Sequence, residues 1–323
     1  MGNKDEYQHF INKTYVPIYS QPWWLDAICG QDNWNVWLYE TGGNVLAAMP
    51  YYFETRGNYR YITKAPLTQN NGIIFYHSNE AKESTRFVFE EKVINEACSF
   101  LDSLNIDVYE QQFQTTFTNW LPFFWNYYEC IVRYTYVFRA EALENMDNIW
   151  LSMDKKKRKK VSKGIANCHI YEELDPLSFY NEVEKTFQKQ GLKCPFSFEL
   201  WNRLYEAVQE RSCGKIIYAK NISGEIVSVV FLVWDEKRMY QLISGGDVTL
   251  QHYEGKSALV WYAINLCSQM GLTYDFEGSV IQRISKSNRL FGAEAIPYFR
   301  IRKVFNPEII RAEAEQKIQK LSD

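Results

Sequence analysis

Two series of apolar and polar positions run along this chain, and they follow the same order. In the second half, Lys215–Lys220 and Met239–Ser244 flank Ile226–Trp234, a run rich in Val and Phe, with Ser223-Gly224 as a turn between Lys215–Lys220 and Ile226–Trp234. Short runs of β-branched and aromatic residues bounded by turn residues predict strands. From Gly255 to Met270 the period changes: Leu259, Val260, Ala263, Ile264, Cys267 and Met270 fall at helical spacing. A strand Thr273–Glu277, a helix Ile281–Phe291 and a strand Tyr298–Phe305 complete the series.

The first half repeats it. Val36–Glu40, Val45–Phe53 and Tyr59–Thr63 read as strands, with Gly42-Gly43 as a tight turn. A helix from about Asn79 to Leu104 carries Val93, Ile94, Ala97, Cys98, Leu101 and Leu104 on one face. Strand Ile106–Gln111, a short helical stretch Thr116–Phe124 and strand Cys130–Arg139 follow. Trp37–Val45 aligns with Ile217–Ile226 through a one-residue gap, and Ile106–Glu110 lies under Thr273–Glu277. One α/β unit is therefore expected twice.

Each copy opens with helices. In the first, Ser20 is the expected N-cap, with Pro22 in the first turn of a helix ending near Gly30. In the second, strand His169–Leu174 precedes helices Pro176–Gln190 and Ser197–Arg211, and a helical stretch from Glu144 to about Asn167 joins the halves. The tail from Pro307 places Ile309, Ile310, Ala314, Ile318 and Leu321 at helical spacing, so it is expected to pack back on the body. The implied domains are residues 1–143 and 144–305, with a terminal helix over 306–323.

A length of 323 residues suits two domains of about 100–200 residues each, and 46% apolar residues can supply two cores. The net charge of −3 weighs against a general nucleic-acid coat. Between Asp154 and Lys163, however, seven Lys/Arg accompany one Asp. The seven cysteines are widely spaced with no C-x-x-C pair, which points to separate reduced thiols. The four histidines are equally scattered, so no metal site is expected. Met1–Phe10 lacks the apolar core of a secretory signal, and no run approaches 18 apolar residues. A cytoplasmic protein without a membrane-spanning segment is the expectation.

The series β-α-α-β-β-β-α-β-α-β resembles the GNAT acyltransferase fold. Two in tandem resemble the Fem-type peptidoglycan aminoacyltransferases and the related acyltransferases of cell-surface polysaccharide clusters. Arg158-Lys159-Lys160-Val161-Ser162-Lys163-Gly164 is similar to their basic R-x-x-I-x-K-A helix, and Gly271–Ser279 to their G-x-x-x-D-F-x-G strand. Leu290-Phe291-Gly292-Ala293 with Pro297-Tyr298-Phe299 is similar to an F-G-x-x-x-x-x-Y ending. The first unit matches by layout and by a weaker Gln21–Asp26 opening. Pro176–Cys213 is too short for the helical-hairpin arm of the Fem enzymes, and Asn288-Arg289 stands where they tend to have a lysine. Both departures favour the polysaccharide-associated enzymes. The resemblance implies an α/β (α+β) chain of two tandem GNAT-like domains with mixed, mostly antiparallel sheets.

Acyl transfer from a thioester to an amine needs an anion cradle, a polarised carbonyl, a base and an oriented amine. Gly255, Lys256, Ser257 and Ala258, after Glu254 at a predicted helix start, offer backbone N–H groups and a helix dipole to a pyrophosphate. His252–Ser257 meets the GNAT loop Q/R-x-x-G-x-G/A only loosely, and an ordinary helix start is the alternative. Asp275 and Glu277 alternate with Phe276, so on a strand both carboxylates project from one face. A partly desolvated carboxylate can take the proton that an attacking ammonium must lose. Glu277 is the first candidate and Asp275 its competitor, although a Glu ending a strand is often only a helix cap. Glu110, at the matching place in the first unit, is a relic, a structural partner or a substrate contact. The resemblance also implies that backbone N–H groups along Leu242, Ile243 and Ser244 meet the oxyanion, because a splayed strand leaves donors unpaired.

In the basic run, Trp150, Met153, Val161, Ile165 and Cys168 form an apolar stripe on which Lys157 also falls. A lysine there either snorkels or points into an interdomain cleft. With Arg158 and Lys163 it would meet the phosphates of a nucleotide- or lipid-linked acceptor, or a tRNA backbone. A solvated helical face is the plainer alternative.

The expected function is an N-acyltransferase moving an acyl group, in the first place acetyl, from acyl-CoA to an amino group of a sugar or cell-envelope precursor. The second unit would hold the donor and the catalytic groups, the first would form a wall of the acceptor cleft, and no cofactor would be permanently bound. Aminoacyl-tRNA-dependent transfer and a non-catalytic GNAT-like binding protein are the alternatives.

Overall fold

The structure, a computed structural model, describes residues 2–77 and 82–322, without the side chains of residues 317 and 320–322. Its elements begin with α1 (Asn3–Ile11), α2 (Pro22–Cys29), β1 (Trp34–Thr41), β2 (Asn44–Arg56), β3 (Tyr59–Thr63) and β4 (Ile74–Phe75). Then come α3 (Glu83–Ser103), β5 (Val108–Gln112), α4 (Leu121–Trp125), β6 (Glu129–Phe138), α5 (Ala140–Leu143), α6 (Met146–Ser152) and α7 (Lys155–Asn167). They continue with β7 (Cys168–Glu172), α8 (Pro176–Gln188), α9 (Phe198–Glu210), β8 (Gly214–Asn221), β9 (Ile226–Trp234) and β10 (Arg238–Gly245). The last are α10 (Gly255–Gln269), β11 (Thr273–Asp275), α11 (Gln282–Arg289), β12 (Glu294–Val304) and α12 (Pro307–Ser322). They form two compact units, Met1–Arg133 with Tyr298–Asp323, and Tyr134–Pro297.

Each unit builds the same mixed, mostly antiparallel sheet. In the first, β1–β2 and β2–β3 are antiparallel, β3 pairs β5 in parallel, and β12 closes against β5. In the second, β8, β9 and β10 are antiparallel neighbours, β10 pairs β11 in parallel, β6 closes against β11, and β7 adds an outer strand. The β1–β2 hairpin is bulged between Tyr39 and Glu40, and the β8–β9 hairpin between Ala219 and Lys220. These are the same step of the sequence alignment. A bulge conserved at one step of two hairpins is the trace expected of a duplicated unit.

The cores follow the predicted helical faces. Val93, Ile94, Ala97, Cys98 and Leu101 of α3 pack with Met49, Ile62, Tyr109 and Ile301. Leu259, Val260, Ala263, Ile264 and Cys267 of α10 pack with Val230, Leu232, Met239 and Tyr274; Met270 is instead exposed. Residues of β9 from Val227 to Val233 are buried on both faces, as the unbroken apolar run requires. All seven cysteines are free thiols. Among the described residues, no helix is long and apolar enough to cross a membrane.

Several local expectations change. Gln21, not Ser20, occupies the N-cap position of α2; Ser20 is buried and donates its hydroxyl to Asn71 Oδ1 at 2.8 Å. α1 forms because Tyr7 and Phe10, one turn apart, are both buried. The expected start of α3 at Asn79 lies outside the described residues. α4 is shorter than Thr116–Phe124 suggested, with Pro122 in its first turn. The stretch Glu144–Asn167 breaks between α6 and α7, where the Asp154 carboxylate accepts from the Lys156 N–H and caps α7. On the predicted stripe Met153, Val161 and Cys168 are buried, but Ile165 is exposed and Gly164 takes the inward place.

The expected domain limits are also corrected, because the closing strands are exchanged. Val137 and Phe138 lie opposite Asp275 and Tyr274 in the second unit, whereas Arg300–Val304 lie opposite Val108–Gln112 in the first. Cross-strand partners explain the choice. Arg300 and Arg302 pair with Glu110 across the β12–β5 ladder, and Thr135 bonds Asp275 beside the β6–β11 ladder. α12 belongs to the first unit. It buries Ile309 and pairs Glu313 with Arg302, but leaves Ile310, Ala314 and Ile318 exposed; Leu321 lies outside the described side chains.

α7 and α10 meet at their backbones. A Cβ on Gly164 would stand 2.4 Å from the Glu254 carbonyl oxygen and 2.9 Å from Ala258 Cβ. Helix propensity alone favours Gly164→Ala by about 1 kcal/mol. The overlap is with main chain, which cannot step aside cheaply, and overpacking costs about 1–3 kcal/mol. Gly164→Ala is therefore expected to lower the urea midpoint; a raised midpoint would show that the helices are not in backbone contact.

Candidate active site

The second unit opens where its two parallel strands part. β10 and β11 pair only over Arg238–Tyr240 and Thr273–Asp275. Beyond that, β10 continues against β9 alone among the described residues, and a bulge between Gln241 and Ile243 disturbs even this ladder. Leu242, Ile243 and Ser244 therefore lie on a strand whose β11 side has lost its partner. Backbone donors in such a place are available to a ligand oxygen.

At the mouth, Asp275 is buried and fully engaged. Its carboxylate accepts from Thr135 Oγ1 at 2.5 Å, from Arg238 Nη1 at 2.8 Å and from the Glu277 N–H at 2.8 Å. β11 stops there, short of the expected Glu277. The Phe276 N–H donates to the Tyr136 carbonyl at 3.0 Å, and Glu277 and Gly278 turn into the left-handed region at φ 63° and 54°. A Cβ on Gly278 would stand 2.4 Å from the Tyr134 carbonyl oxygen, so only glycine fits. The two carboxylates consequently do not share one face of a strand. Asp275 is a structural ion, whereas Glu277 is buried, and burial pushes its carboxyl well above the ordinary range.

The head of α10 is built for close packing. Glu254 takes a left-handed φ of 61°. A Cβ on Gly255 would stand 2.8 Å from Val227 Cγ1. Ser257 and Ala258 are buried, and their N–H groups donate to the Glu254 carbonyl. The Glu254 carboxylate is held by Lys160 Nζ at 2.8 Å and Ser257 Oγ at 3.3 Å. Lys256 reaches back to β10, its Nζ 3.2 Å from Ser244 Oγ. Thus Ser244 and Lys256 meet at the opening, while Gly255, Ser257 and Ala258 serve mainly to seat the helix.

Residues 153–281 match the family model of the acetyltransferase (GNAT) domain. This stretch of the chain is similar to a GNAT domain. The match lies wholly in the second unit, and solved structures extend the likeness in fold to the whole chain. FemX superposes with a TM-score of 0.67 at 11% identity, covering 97% of this chain and 98% of that one. The C-terminal domain (DUF2156) of a putative lysylphosphatidylglycerol synthetase from Agrobacterium fabrum gives 0.54 at 9% identity, covering 99% and 96%. A tandem GNAT protein from the clavulanic acid biosynthesis pathway gives 0.51 at 8% identity, covering 85% and 83%. Among curated proteins none matches the sequence significantly.

The basic run of this GNAT domain divides its work. Lys157 is buried, donates to Ser287 Oγ at 3.0 Å and lies 4.5 Å over the Phe291 ring, so it neither snorkels nor stays solvated. Burial, helped by the nearby Lys160 charge, brings its ammonium down to about 8. Arg158 is half-buried and Lys163 exposed, neither with a side-chain ion pair among the described residues. In the first unit Glu110 takes a bidentate contact from Arg300 at 2.8 and 2.5 Å and a third from Arg302 at 3.2 Å. Burial would raise its carboxyl, but these cations hold it below the ordinary range. Sequence reasoning missed Arg238, Thr135, Lys160 and Ser287. Their roles depend on contacts 37, 140, 94 and 130 residues away, which no local pattern encodes.

The buried Glu277 carboxyl gives a pH signature. Its folded-state proton affinity exceeds that of the unfolded chain, near 4.5, so the folded state keeps a proton that the unfolded chain releases. Stability should therefore fall as pH rises above about 4.5, until the raised value is passed. Glu277→Gln removes this decline. Urea titrations of both proteins between about pH 4 and 8 check it: a stability difference that stays flat with pH would contradict the burial of an ionisable carboxyl.

Proposed function

We propose that the GNAT domain transfers an acyl group, acetyl in the first instance, from acyl-CoA to an amino group of a sugar or cell-envelope precursor. The parting of β10 from β11 carries this reading, because it leaves backbone donors beside a buried carboxyl. Acyl-CoA supplies an activated thioester carbonyl. N–H groups along Leu242, Ile243 and Ser244 stabilise its oxygen as negative charge develops. Glu277 takes the proton released by the attacking ammonium, and its raised proton affinity brings it closer to the amine and eases the transfer. Asp275, neutralised by Arg238, acts as a positioning residue through the Glu277 N–H. Lys256, beside Ser244, suits a phosphate of the donor.

One observation favours a second reading. The Glu254 carboxylate sits at the head of α10, where a pyrophosphate would meet negative charge only partly offset by Lys160. Aminoacyl transfer from tRNA needs no pyrophosphate there, and Arg158, Lys163 and the exposed lysines of α7 would follow the RNA backbone.

Turnover with acetyl-CoA and amino-sugar acceptors tests the proposal. Glu277→Gln should lower kcat about 10²–10⁴-fold with the fold retained, and should abolish a rising pH limb present in the wild type. Unchanged turnover would remove Glu277 as the base. Activity lost on RNase treatment, with no stabilisation by any CoA thioester, would replace the first reading by the second.

A further inference from the structure

One wall of the opening in the second unit is helical, and acyl transfer as proposed makes no use of it. α8 lies directly on the end of β10, where two glycines admit it. A Cβ on Gly245, the residue after Ser244, would stand 2.7 Å from Val183 Cα and 3.1 Å from the Glu182 carbonyl oxygen. On Gly246, at φ 144°, it would stand 2.4 Å from the Val227 carbonyl oxygen. These neighbours are main chain, so neither position has room for a side chain. The Thr186 hydroxyl then fixes the contact, donating to the Gly246 carbonyl at 3.1 Å and accepting from the Gly246 N–H at 3.0 Å. One turn on, Lys189 pairs with Asp247, and Gln190 Oε1 accepts from Arg283 Nη2 at 3.2 Å. Arg283 belongs to α11, which follows β11. α8 therefore bridges β10 and the segment beyond β11, on one side of the gap between them.

Glu182 lies on the same stripe of α8, one turn before Thr186. The adjoining stripe is apolar: Phe179 and Val183 are buried, and the Phe179 ring stacks on Trp201 at 4.6 Å. Glu182 is buried too, and its carboxylate is half-satisfied. Oε1 accepts from Lys185 Nζ at 2.5 Å, whereas Oε2 is buried with no hydrogen-bond partner among the described residues. A buried acceptor without a donor costs stability, and the empty fold gains nothing from it. The missing partner is a donor. A hydroxyl suits the place better than a second ammonium. Lys185 already neutralises the carboxylate, and Lys189, Lys256 and Arg283 make the rim of the opening cationic.

We infer that Glu182 is an acceptor-binding residue whose Oε2 takes a hydrogen bond from a substrate hydroxyl. The site then selects a hydroxylated amine, of the amino-sugar class, over a plain hydrocarbon amine. The identification of that amine as the acyl acceptor rests on the acyltransferase reading; its binding requires no turnover.

The test is calorimetric binding of D-glucosamine and of cyclohexylamine, a ring of equal size without hydroxyls, to the full chain. Glu182→Met and Glu182→Gln are compared with the wild type. The wild type should bind glucosamine about tenfold or more tightly than cyclohexylamine, because the analogue leaves a buried acceptor unpaired. Glu182→Met removes the acceptor and keeps the volume, so it should bind the two amines alike. Without ligand it should melt no lower than the wild type, since the lysine it leaves is half-exposed and the oxygen it removes is unpartnered. Glu182→Gln keeps an oxygen for Lys185 and puts an amide donor in place of Oε2; it should lose the preference as well. Should Glu182→Met melt lower, Glu182→Gln decides between recognition and mere support of α8. Glucosamine that fails to bind the wild type at high millimolar concentration, or binds it no more tightly than cyclohexylamine, overturns the proposal. So does a preference that survives in Glu182→Gln. Because Glu277→Gln should keep the preference while losing turnover, failure of this subsite and failure of the acyl-transfer chemistry are read separately.

Discussion

The Asp275 carboxylate is the fixed point on which the second unit's architecture depends. A buried charge needs its full set of partners, and removing one leaves an uncompensated ion. Asp275 finds them on three segments: Arg238 at the start of β10, Thr135 on β6 and the N–H of Glu277. With that carboxylate held in place, β11 ends after three residues and the chain turns left-handed through Glu277 and Gly278. β10 goes on without its parallel neighbour. The opening, the exposed donors and the buried position of Glu277 all follow from one ion being satisfied.

Seen this way, the residues of the family-like motifs are mostly structural. Asp275 and Gly278 build the turn, the glycine because the Tyr134 carbonyl leaves no room for a Cβ. Gly292, at φ 87°, lies where a Cβ would stand 2.7 Å from Ser152 Oγ, and Phe291 is buried beneath Lys157. A motif of this kind reports the fold well and the substrate poorly.

What the sequence revealed was local. Tyr59–Thr63 and Ile226–Trp234 appear with the boundaries that β-branched and aromatic runs suggest, and the buried faces of α3 and α10 are those of their helical periods. The duplication was also legible, because it survives as a matched hairpin. The exchange of closing strands was not, since β12 and β6 have similar alternation and are told apart only by Glu110 and Asp275, each far away in the chain. At the site, the pattern placed Asp275 and Glu277 together but treated them as equals. Arg238 separates them, neutralising one and leaving the other to burial. Gly164 looked like an ordinary residue of a basic helix until the Glu254 carbonyl was found against it. The two units have consequently diverged while sharing a plan: the parallel pair parts without a replacement partner among the described residues in the second, whereas in the first the Asn71 N–H closes on the Gln112 carbonyl at 2.7 Å.

The central claim is that the β11-facing side of β10, beyond its last pair with β11, receives the acyl carbonyl. Amide hydrogen exchange over residues 241–245, with and without a non-hydrolysable acetyl-CoA analogue, tests it most directly. The account predicts that, within Leu242–Ser244, the amides turned away from β9 exchange quickly in the free protein and become protected on binding. Binding that protects other segments while leaving these amides unchanged would contradict it.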